Sequence, residues 1–187
     1  EVLESSNRSS SVLKLKDGIF LKSAIICKEN DFIIIVTDIG RILKIQINKE
    51  LLPIMGKNAQ GPTAIKVFPG ESIKGLISAK KNSNQNIILI SKKGTLIKIP
   101  IDSIRTCNRG GMGIMGIKNN SQKIVNDKIS VASKDNNLIN VTTSTGRHQR
   151  ISLEDLNKIK INIENKNYFK LEKSESIIKL DNLIKPI

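Results

Sequence analysis

The residues with the clearest chemical potential form a glycine-rich segment, 107–118, with the sequence Cys-Asn-Arg-Gly-Gly-Met-Gly-Ile-Met-Gly-Ile-Lys. Backbone N–H groups of a glycine-rich turn can approach an anion closely, and a neighbouring arginine can add a bidentate contact to phosphate. The glycines follow a G-x-G-x-x-G spacing, but the polar residues after Ile117 do not predict the helix that a dinucleotide-binding fingerprint requires. We therefore interpret the segment as a turn between strands, with these candidate phosphate contacts: Arg109 and the loop glycines Gly110, Gly111 and Gly113.

The side chains that most often catalyse reactions form no recognisable constellation. His148 is the only histidine and lies in a predicted strand without a Cys or carboxylate partner. Tyr168, the only tyrosine, precedes Phe169 at a repeated apolar position, which favours packing over nucleophilic chemistry. Cys27 and Cys107 have neither metal-ligand spacing nor the density of a disulfide framework, so a reducing compartment is expected. We predict no catalytic residue, no metal site and no cofactor in this chain.

The charge of the chain indicates a polyanionic partner. It contains 31 Lys and Arg against 17 Asp and Glu, which gives a net charge of +14 and a pI near 9.9. Basic surfaces gain affinity for duplex DNA by releasing the counterions of its phosphates. Aromatic residues make up only 3% of the chain, which argues against single-strand binding, because unpaired bases stack on aromatic platforms.

The N-terminal residues, 1–11, are polar and serine-rich, which predicts a linker or a disordered end. The absence of Met at position 1 indicates a piece of a longer chain. No secretory signal pattern and no apolar stretch of membrane-spanning length is present, so we expect a cytoplasmic protein without a membrane partner.

Three β-hairpins of similar composition recur along the chain, at 32–47, 86–99 and 137–151. Each joins a short β-branched run to a second strand through a turn that ends in glycine, a pattern typical of strands rather than helices. The turn glycines Gly40, Gly94 and Gly146 are 54 and then 52 residues apart. This regular spacing indicates an internal repeat.

A second apolar element follows each hairpin, and an earlier copy of it lies at 13–25. A constant shift of 52 residues superimposes these copies and places Ile73 with Val125 and with Ile177. A period near fifty with about four strands per unit is typical of propeller blades. The sequence therefore predicts an all-β, partial β-propeller of four-stranded blades, with about three and a half repeats of about 52 residues. Its single domain, 12–187, would comprise the second half of a blade at 12–31 and blades at 32–85, 86–136 and 137–187.

Basic residues recur at fixed positions of these repeats. A basic and an apolar residue stand together after each turn glycine, as Lys44-Ile45, Lys98-Ile99 and Arg150-Ile151. Because neighbouring side chains of a strand face opposite ways, each blade is expected to pack its isoleucine and expose its cation toward DNA phosphates. The full set of predicted DNA-binding residues is Arg41, Lys44, Lys57, Lys66, Lys98, Arg105, Arg109, Lys118, Arg147 and Arg150.

Two of the repeats resemble a known family. Residues 94–118 and the segment 55–62, Met-Gly-Lys-Asn-Ala-Gln-Gly-Pro, are similar to blades in the C-terminal domain of the A subunit of bacterial type IIA topoisomerases, DNA gyrase and topoisomerase IV. The resemblance extends over about residues 12–187. It implies a propeller often called a β-pinwheel, whose rim bends duplex DNA around itself. In gyrase this wrapping allows the enzyme to introduce negative supercoils.

One motif departs from the gyrase pattern. Gyrase carries a box of the form Gln-Arg-Arg-Gly-Gly-Lys-Gly in one blade, and 107–113 keeps one Arg and the glycines but lacks the Gln, the other Arg and the Lys. The sequence therefore leaves open whether the relative is gyrase or topoisomerase IV.

The resemblance implies a DNA-binding and DNA-wrapping module, non-catalytic by itself, of an ATP-dependent type IIA topoisomerase at the nucleoid. Its partners would be double-stranded DNA, the remainder of the topoisomerase A subunit, and the B subunit, with ATP and Mg²⁺ bound elsewhere in the holoenzyme. The alternative is a propeller that binds proteins and whose basic residues serve solubility. A strongly salt-dependent affinity for random duplex DNA would separate the two functions.

Overall fold

The structure, a computed structural model, describes residues 15–56, 59–81, 84–116, 127–134 and 138–182. Strands dominate these ranges and helix is nearly absent, which confirms the predicted all-β fold class. A 3₁₀ turn, Ile101–Ser103, and one short helix, α1, Leu153–Lys158, accompany the strands. The strands are β1 Phe32–Thr37, β2 Arg41–Gln46, β3 Ile73–Ala79, β4 Asn86–Ser91, β5 Leu96–Pro100, β6 Ile114–Met115, β7 Ile129–Lys134, β8 Leu138–Thr143, β9 His148–Ser152 and β10 Ile177–Asn182.

The three predicted hairpins are present as the antiparallel pairs β1–β2, β4–β5 and β8–β9. The turn glycines Gly40, Gly94 and Gly146 have φ values of 83°, 82° and 84°, a left-handed conformation in which a side chain is strained. The N–H of each glycine donates to the carbonyl three residues earlier, at 3.0 to 3.1 Å. The repeat in the sequence is therefore a repeat of one turn geometry.

Each hairpin carries a third strand on the free edge of its first strand. The strand orders are β3-β1-β2-β6 in the first sheet, β5-β4-β7 in the second and β10-β8-β9 in the third. Strand β3 packs against β7, and β7 packs against β10, so these three strands stand side by side at the inner edges of their sheets. The hairpin strands β2, β5 and β9 lie farther out and position the surface described below.

Two apolar cores lie between the three sheets, one at each contact between neighbouring sheets. Ile34 and Ile87 belong to the cluster between the first and second sheets, and Ile88 and Phe169 belong to the cluster between the second and third. Ile34, Ile87 and Ile88 are fully buried. Since β1 and β4 are covered on both faces, their continuous β-branched runs are explained by packing on both sides of the sheet.

The sheets are not built from contiguous repeats. The two-residue strand β6 belongs to the second repeat, yet it pairs with Arg41 and Ile42 on the outer edge of the first sheet. The first sheet is therefore not made from residues 32–85 alone, and the predicted blade boundaries describe the sequence repeat rather than the sheets. The physical reason is that β2 has free N–H and C=O groups along its outer edge, which the next repeat pairs.

The inner strand of the second sheet begins later than a constant 52-residue shift predicts. In each sheet the isoleucine that begins the inner strand pairs with the last residue of the first hairpin strand. That isoleucine is Ile129 in the second sheet and Ile73 in the first. The predicted equivalence of Ile73 with Val125 is therefore wrong, and Val125 lies outside the described residues. The offset arises because the turn glycines of these two sheets are 54 residues apart rather than 52, and because Ile129 follows Gly94 at a distance two residues longer than that from Gly40 to Ile73.

Residues 15–31 form no strand, so the predicted half-blade at 12–31 is wrong for this part, while residues 1–14 lie outside the described ranges. Phe20 and Ile26 are 85% and 91% exposed. In the three sheets the equivalent element pairs with the first strand of a hairpin, and every described hairpin already has such a partner. Without a neighbouring ladder, the backbone of 15–31 has no strand to pair with.

Candidate nucleic-acid interface

The glycine-rich segment lies along the outer edge of the first sheet as part of a longer loop, 104–116, which we name the rim loop. The N–H of Cys107 donates to the carbonyl of Lys44 at 2.8 Å, and the N–H of Gly110 donates to the carbonyl of Ala64 at 2.7 Å. The loop thus bridges β2 and the segment that leads toward β3. Because main-chain hydrogen bonds hold it at both places, its side chains project from a fixed backbone.

The glycines of the rim loop allow it to approach β2 closely. Gly110 and Gly113 have φ values of 74° and 75°. A Cβ at Gly113 would lie 2.8 Å from the carbonyl oxygen of Ile42, and a Cβ at Gly116 would lie 2.1 Å from the Cδ1 atom of Ile42. Their observed role is packing against β2, and a phosphate contact by the loop glycines stays a prediction.

Three of the predicted DNA-binding cations share this outer edge. Lys66, Arg105 and Arg109 are all exposed. The N–H of Lys66 donates to the carbonyl of Gly111 at 3.0 Å, which places Lys66 beside the rim loop that carries the two arginines. We name Lys66, Arg105 and Arg109 the rim patch. These three residues are the part of the predicted DNA-binding set that the structure brings together on one exposed surface.

Two of the predicted surface cations are buried instead. Lys44 is 4% exposed, and its Nζ donates to the carbonyls of Ile101 at 2.9 Å and Ile104 at 3.2 Å, at the 3₁₀ turn of the next repeat. Lys98 is 5% exposed, and its Nζ donates to the carbonyl of Leu156 in α1 at 3.0 Å. The prediction that these cations face solvent is wrong. The carbonyl oxygens of Ile101 and Leu156 each also accept from the N–H three residues later, and the lysine ammonium occupies the second acceptor position of the oxygen.

Burial also changes the acid–base properties of Lys44. Its ammonium lies 4.4 Å above the ring of Phe32. Removal from water lowers the pKa of Lys44 below its ordinary value, and the negative charge of Asp102 opposes this shift. The two carbonyls described above accept from the buried ammonium and compensate its removal from water.

Arg41, another of the predicted DNA-binding residues, is buried as well, at 5% exposure. It forms an ion pair with Glu71, and its Nε donates to Glu71 Oε1 at 2.8 Å. Its Nη2 donates to the carbonyl of Lys66 at 2.7 Å, and its Nη1 donates to the carbonyl of Met112. The guanidinium lies 4.3 Å above the ring of Phe68. Arg41 therefore holds the rim loop beside Lys66 from underneath.

The Arg41 guanidinium controls the ionisation of its partner. The hydrogen bond from Arg41 lowers the pKa of Glu71 from its ordinary 4.5 to about 2, against the opposing effect of burial, with a further contribution from the N–H of Phe68. Glu71 therefore stays ionised in the folded protein at all but strongly acidic pH.

An acidic residue two positions before the inner strand recurs in all three repeats, and the sequence reasoning missed it. Asp127 accepts a hydrogen bond from Ser91 at 2.6 Å in the second sheet. Glu175 accepts one from Thr145 at 2.6 Å and forms an ion pair with Arg147 in the third. The hydrogen bond from Arg147 holds the pKa of Glu175 well below its usual range. The signal that could have revealed these residues is the recurrent pattern Glu-Ser-Ile, Asp-Lys-Ile and Glu-Ser-Ile at 71–73, 127–129 and 175–177.

The remaining predicted cations do not join the rim patch. Arg147 and Arg150 lie on or beside β9 in the third sheet and are exposed. Arg147 pairs with Glu175, whereas Arg150 has no hydrogen bond or ion pair with another described residue. Lys57 and Lys118 lie outside the described residues.

Tyr168 and His148, which were considered above for catalysis, contact neighbouring side chains of the fold. Tyr168 packs edge-on against Phe169 with ring centroids 5.2 Å apart, which confirms the predicted packing, and burial raises the pKa of Tyr168. The Nδ1 atom of His148 lies 3.1 Å from Thr142 Oγ1. Cys27 and Cys107 are free thiols. Within the described ranges, no three His, Cys, Asp or Glu side chains are grouped for a metal, and no helix is long and apolar enough to cross a membrane.

Comparison with known sequences points to one family. Residues 31–80 and 85–129 match the family model described as DNA gyrase C-terminal domain, beta-propeller. The chain is 31% identical over 128 residues to the A subunit of DNA gyrase from Lawsonia intracellularis. It is 22% identical over 144 residues to the A subunit of DNA gyrase from Brachyspira hyodysenteriae. These alignments cover 68% and 75% of this chain but only 15% and 16% of the relatives.

Solved structures of low sequence identity share the fold. The C-terminal domain of DNA topoisomerase IV superimposes with a TM-score of 0.74 at 15% identity, covering 90% of this chain and 51% of that one. The E. coli ParC C-terminal domain gives 0.63 at 13% identity, covering 91% and 67%. The DNA gyrase A C-terminal domain gives 0.59 at 15% identity, covering 84% and 50%. The predicted propeller-type fold is confirmed by these similarities.

Proposed function

The chain belongs to the DNA gyrase C-terminal domain family, and from this premise we propose that it is a DNA-wrapping module within the A subunit of a type IIA topoisomerase. In this proposal the module binds duplex DNA along its outer rim, bends it and performs no bond chemistry itself. Strand breakage, ATP and Mg²⁺ belong to the rest of the holoenzyme, which comprises the remainder of the A subunit together with the B subunit. The complex works in the cytoplasm, on nucleoid DNA.

The observation that carries this proposal is the rim patch. Arg105 and Arg109 are exposed on the rim loop, whose backbone is fixed to β2 and to 64–66, and Lys66 is exposed beside it. Arg41 anchors the same loop through the carbonyls of Lys66 and Met112. Because the backbone is already ordered before DNA arrives, little conformational entropy is lost in forming the phosphate contacts.

The mechanism follows from the charge and the arrangement of the sheets. Each cation that reaches a phosphate releases condensed counterions, which supplies affinity without reading the base sequence. The inner strands β3, β7 and β10 contact one another in series, and the outer strands with their connecting loops lie at the opposite edge of the three sheets. Phosphate contacts distributed around such a rim offset the elastic cost of bending the duplex.

The burial of other cations narrows the set of residues that can act this way. Lys44, Lys98 and Arg41 donate to carbonyls and to Glu71 inside the protein, so we exclude them from the residues that contact phosphate. The DNA surface in this proposal is formed by exposed loop cations, with the rim patch as its best-defined part.

The test compares two double variants that remove the same charge from different places. Arg105→Ala with Arg109→Ala is expected to weaken binding to random duplex DNA and to reduce the slope of log K against log salt by about 2, since each phosphate contact contributes roughly 0.9. The matched control is Lys92→Ala with Lys93→Ala, which removes two exposed cations at the second hairpin turn and should change the slope less.

A second measurement addresses wrapping. Ligation of nicked plasmid in the presence of the chain should trap a shift in linking number, and the double variant at Arg105 and Arg109 should reduce that shift. Equal slopes for the two double variants would contradict the rim patch. Absence of salt-dependent affinity for random duplex DNA would instead favour a protein-binding scaffold.

A further inference from the structure

An exposed aromatic ring lies beside the rim patch. Phe68 follows Lys66 by two residues and is 44% exposed, although phenylalanine is among the residues that are most often fully buried. The guanidinium of Arg41 lies 4.3 Å from the centre of the ring, so it covers one face of the ring. The guanidinium is itself fixed, because it pairs with Glu71 and donates to the carbonyls of Lys66 and Met112. The ring of Phe68 therefore rests on an immobilised cation and keeps its opposite face for another partner.

The backbone of Phe68 is also held in place, by a tight turn over 68–71. The N–H of Phe68 donates to Glu71 Oε2 at 2.7 Å, and its carbonyl accepts from the N–H of Glu71 at 3.0 Å. The two central residues are Pro69 and Gly70, and the φ of 75° at Gly70 is typical of the third position of a type II turn. A ligand that packs on the ring meets a surface that is already ordered, so little conformational entropy is lost on binding.

The third repeat contains the same turn with an acid in place of the ring. The N–H of Glu172 donates to the carboxylate of Glu175 at 2.9 Å, and its carbonyl accepts from the N–H of Glu175 at 3.0 Å. The second sheet lies beside this turn, since the N–H of Phe169 donates to the carbonyl of Gly94 at 3.2 Å. The Glu172 side chain is nevertheless 75% exposed. This position of the turn therefore faces solvent even beside a preceding sheet, and the turn itself does not require the apolar side chain of Phe68.

The surroundings of the ring favour a nucleobase as its partner. Lys66 and Arg109 are exposed in the rim patch, and the charge of Glu71 is paired with Arg41, so an incoming group meets positive charge. An aromatic face offers no hydrogen bond to a phosphate, and the bases of an intact duplex cover one another's faces. A base that has left the stack can lie flat on the ring while the neighbouring phosphates bind the cations. This combination of a stacking surface and basic side chains is how proteins hold unpaired nucleotides.

We propose that Phe68, supported by Arg41, is a stacking site for one extrahelical base of a duplex that is bound along the rim patch. The preferred substrate is duplex DNA with a bulged or mismatched base, because such a base leaves the stack at a lower cost than a paired one. The low aromatic content of the chain argues against binding of long single strands, but one ring suffices for one base. This inference rests on the proposed function, since the rim patch must hold the duplex, and it adds a preference for distorted DNA.

The test uses two duplexes of the same sequence that carry 5-iododeoxyuridine either as a paired base or as a single bulged base. The 187-residue chain should bind the bulged duplex about tenfold more tightly, a difference that one base–aromatic stack supplies. Irradiation should cross-link the bulged base to Phe68, which mass spectrometry locates. Phe68→Ala and Phe68→Leu should bind both duplexes with equal affinity, whereas Phe68→Tyr should keep the preference. The matched control is Phe20→Ala, which removes an exposed ring from 15–31 and should change neither the preference nor the cross-link.

Three results would overturn the stacking site and leave the proposed function intact. They are equal binding of the two duplexes by the wild type with an unchanged salt dependence, a cross-link that maps outside 68–71, and a preference for the bulged duplex that survives in Phe68→Leu. The last result would show that apolar contact rather than stacking holds the base. Absence of salt-dependent binding to either duplex would reject the proposed function and the stacking site together. If an acidic peptide with aromatic residues binds the wild type but not Phe68→Ala, and no preference for the bulge is found, the ring belongs to a protein interface instead.

Discussion

The first and third sheets place the same types of side chain at the same positions and yet give them different surroundings. Arg41 and Lys44 in the first sheet are buried under the rim loop of the next repeat. Arg147 and Arg150 in the third sheet are exposed beside β9, over which no described segment lies. The difference shows that the neighbouring repeat, rather than the position within the hairpin, decides whether a cation meets water.

This comparison also separates two uses of positive charge. Lys44 and Lys98 bind carbonyls at helical turns and join one repeat to the next. The rim patch projects outward from a fixed loop. The net charge of +14 therefore exceeds the charge that is available to DNA, because several of the cations are buried and bind carbonyl or carboxylate groups of the protein.

The largest expected effect is the contrast between Arg41→Met and Arg147→Met. Arg41→Met leaves Glu71 nearly buried without its partner and should reduce the free energy of unfolding by about 4 kcal/mol. Arg147→Met should cost less, because the buried Glu175 carboxylate keeps hydrogen bonds from Thr145 and from the N–H of Glu172, and water can take the place of the exposed guanidinium. Urea denaturation followed by circular dichroism measures both. A loss for Arg147→Met as large as that for Arg41→Met would show that the covering loop does not strengthen the first pair.

Acid should weaken the first sheet through Glu71. The folded pKa of Glu71, about 2, is below its ordinary value of 4.5, so the unfolded chain binds the proton more readily. The stabilisation, on the order of 3 kcal/mol, is present above pH 4.5 and is lost as the pH falls toward 2. Urea midpoints measured at decreasing pH should therefore fall less steeply in Glu71→Gln than in the wild type. Identical slopes would assign the acid sensitivity to other groups, such as Glu175.

The smallest expected effect is the difference in stability between alanine substitutions at two turn glycines that have the same backbone conformation. A Cβ at Gly94 would lie 2.7 Å from the carbonyl oxygen of Phe169, whereas a Cβ at Gly146 would meet nothing within 4 Å. Gly146→Ala should cost about 1 kcal/mol from its positive φ alone, and Gly94→Ala should cost roughly 2 kcal/mol more. Thermal or urea unfolding of the two variants measures the difference. Equal losses would mean that the third repeat does not constrain the second turn.

Local sequence patterns predicted the hairpins well because their determinants are local. Gly40, Gly94 and Gly146 adopt the positive φ that their turns require, and the β-branched runs before them form buried strands. The exposure of Arg105 and Arg109 was also predictable, since they lie in a polar, glycine-rich loop. Their contact with DNA stays a prediction.

Other features could not be predicted from one repeat alone. Alternation along β2 and β5 suggested exposed lysines, but both faces of these strands are covered. A constant period misplaced the inner strand of the second sheet, because loop length can change without disturbing the pairing of Ile129 with Ser91. The pairing of β6 with β2 joins residues that are distant in sequence, and no local pattern encodes it.

The sequence by itself determined the all-β repeat, the turns and the excess of positive charge, because backbone sterics, side-chain alternation and composition act over short distances. Only the tertiary structure decided which cations are buried and which loop completes which sheet. Those outcomes depend on the free energy of removing a charge or a backbone group from water, and that free energy is set by the neighbours that surround it.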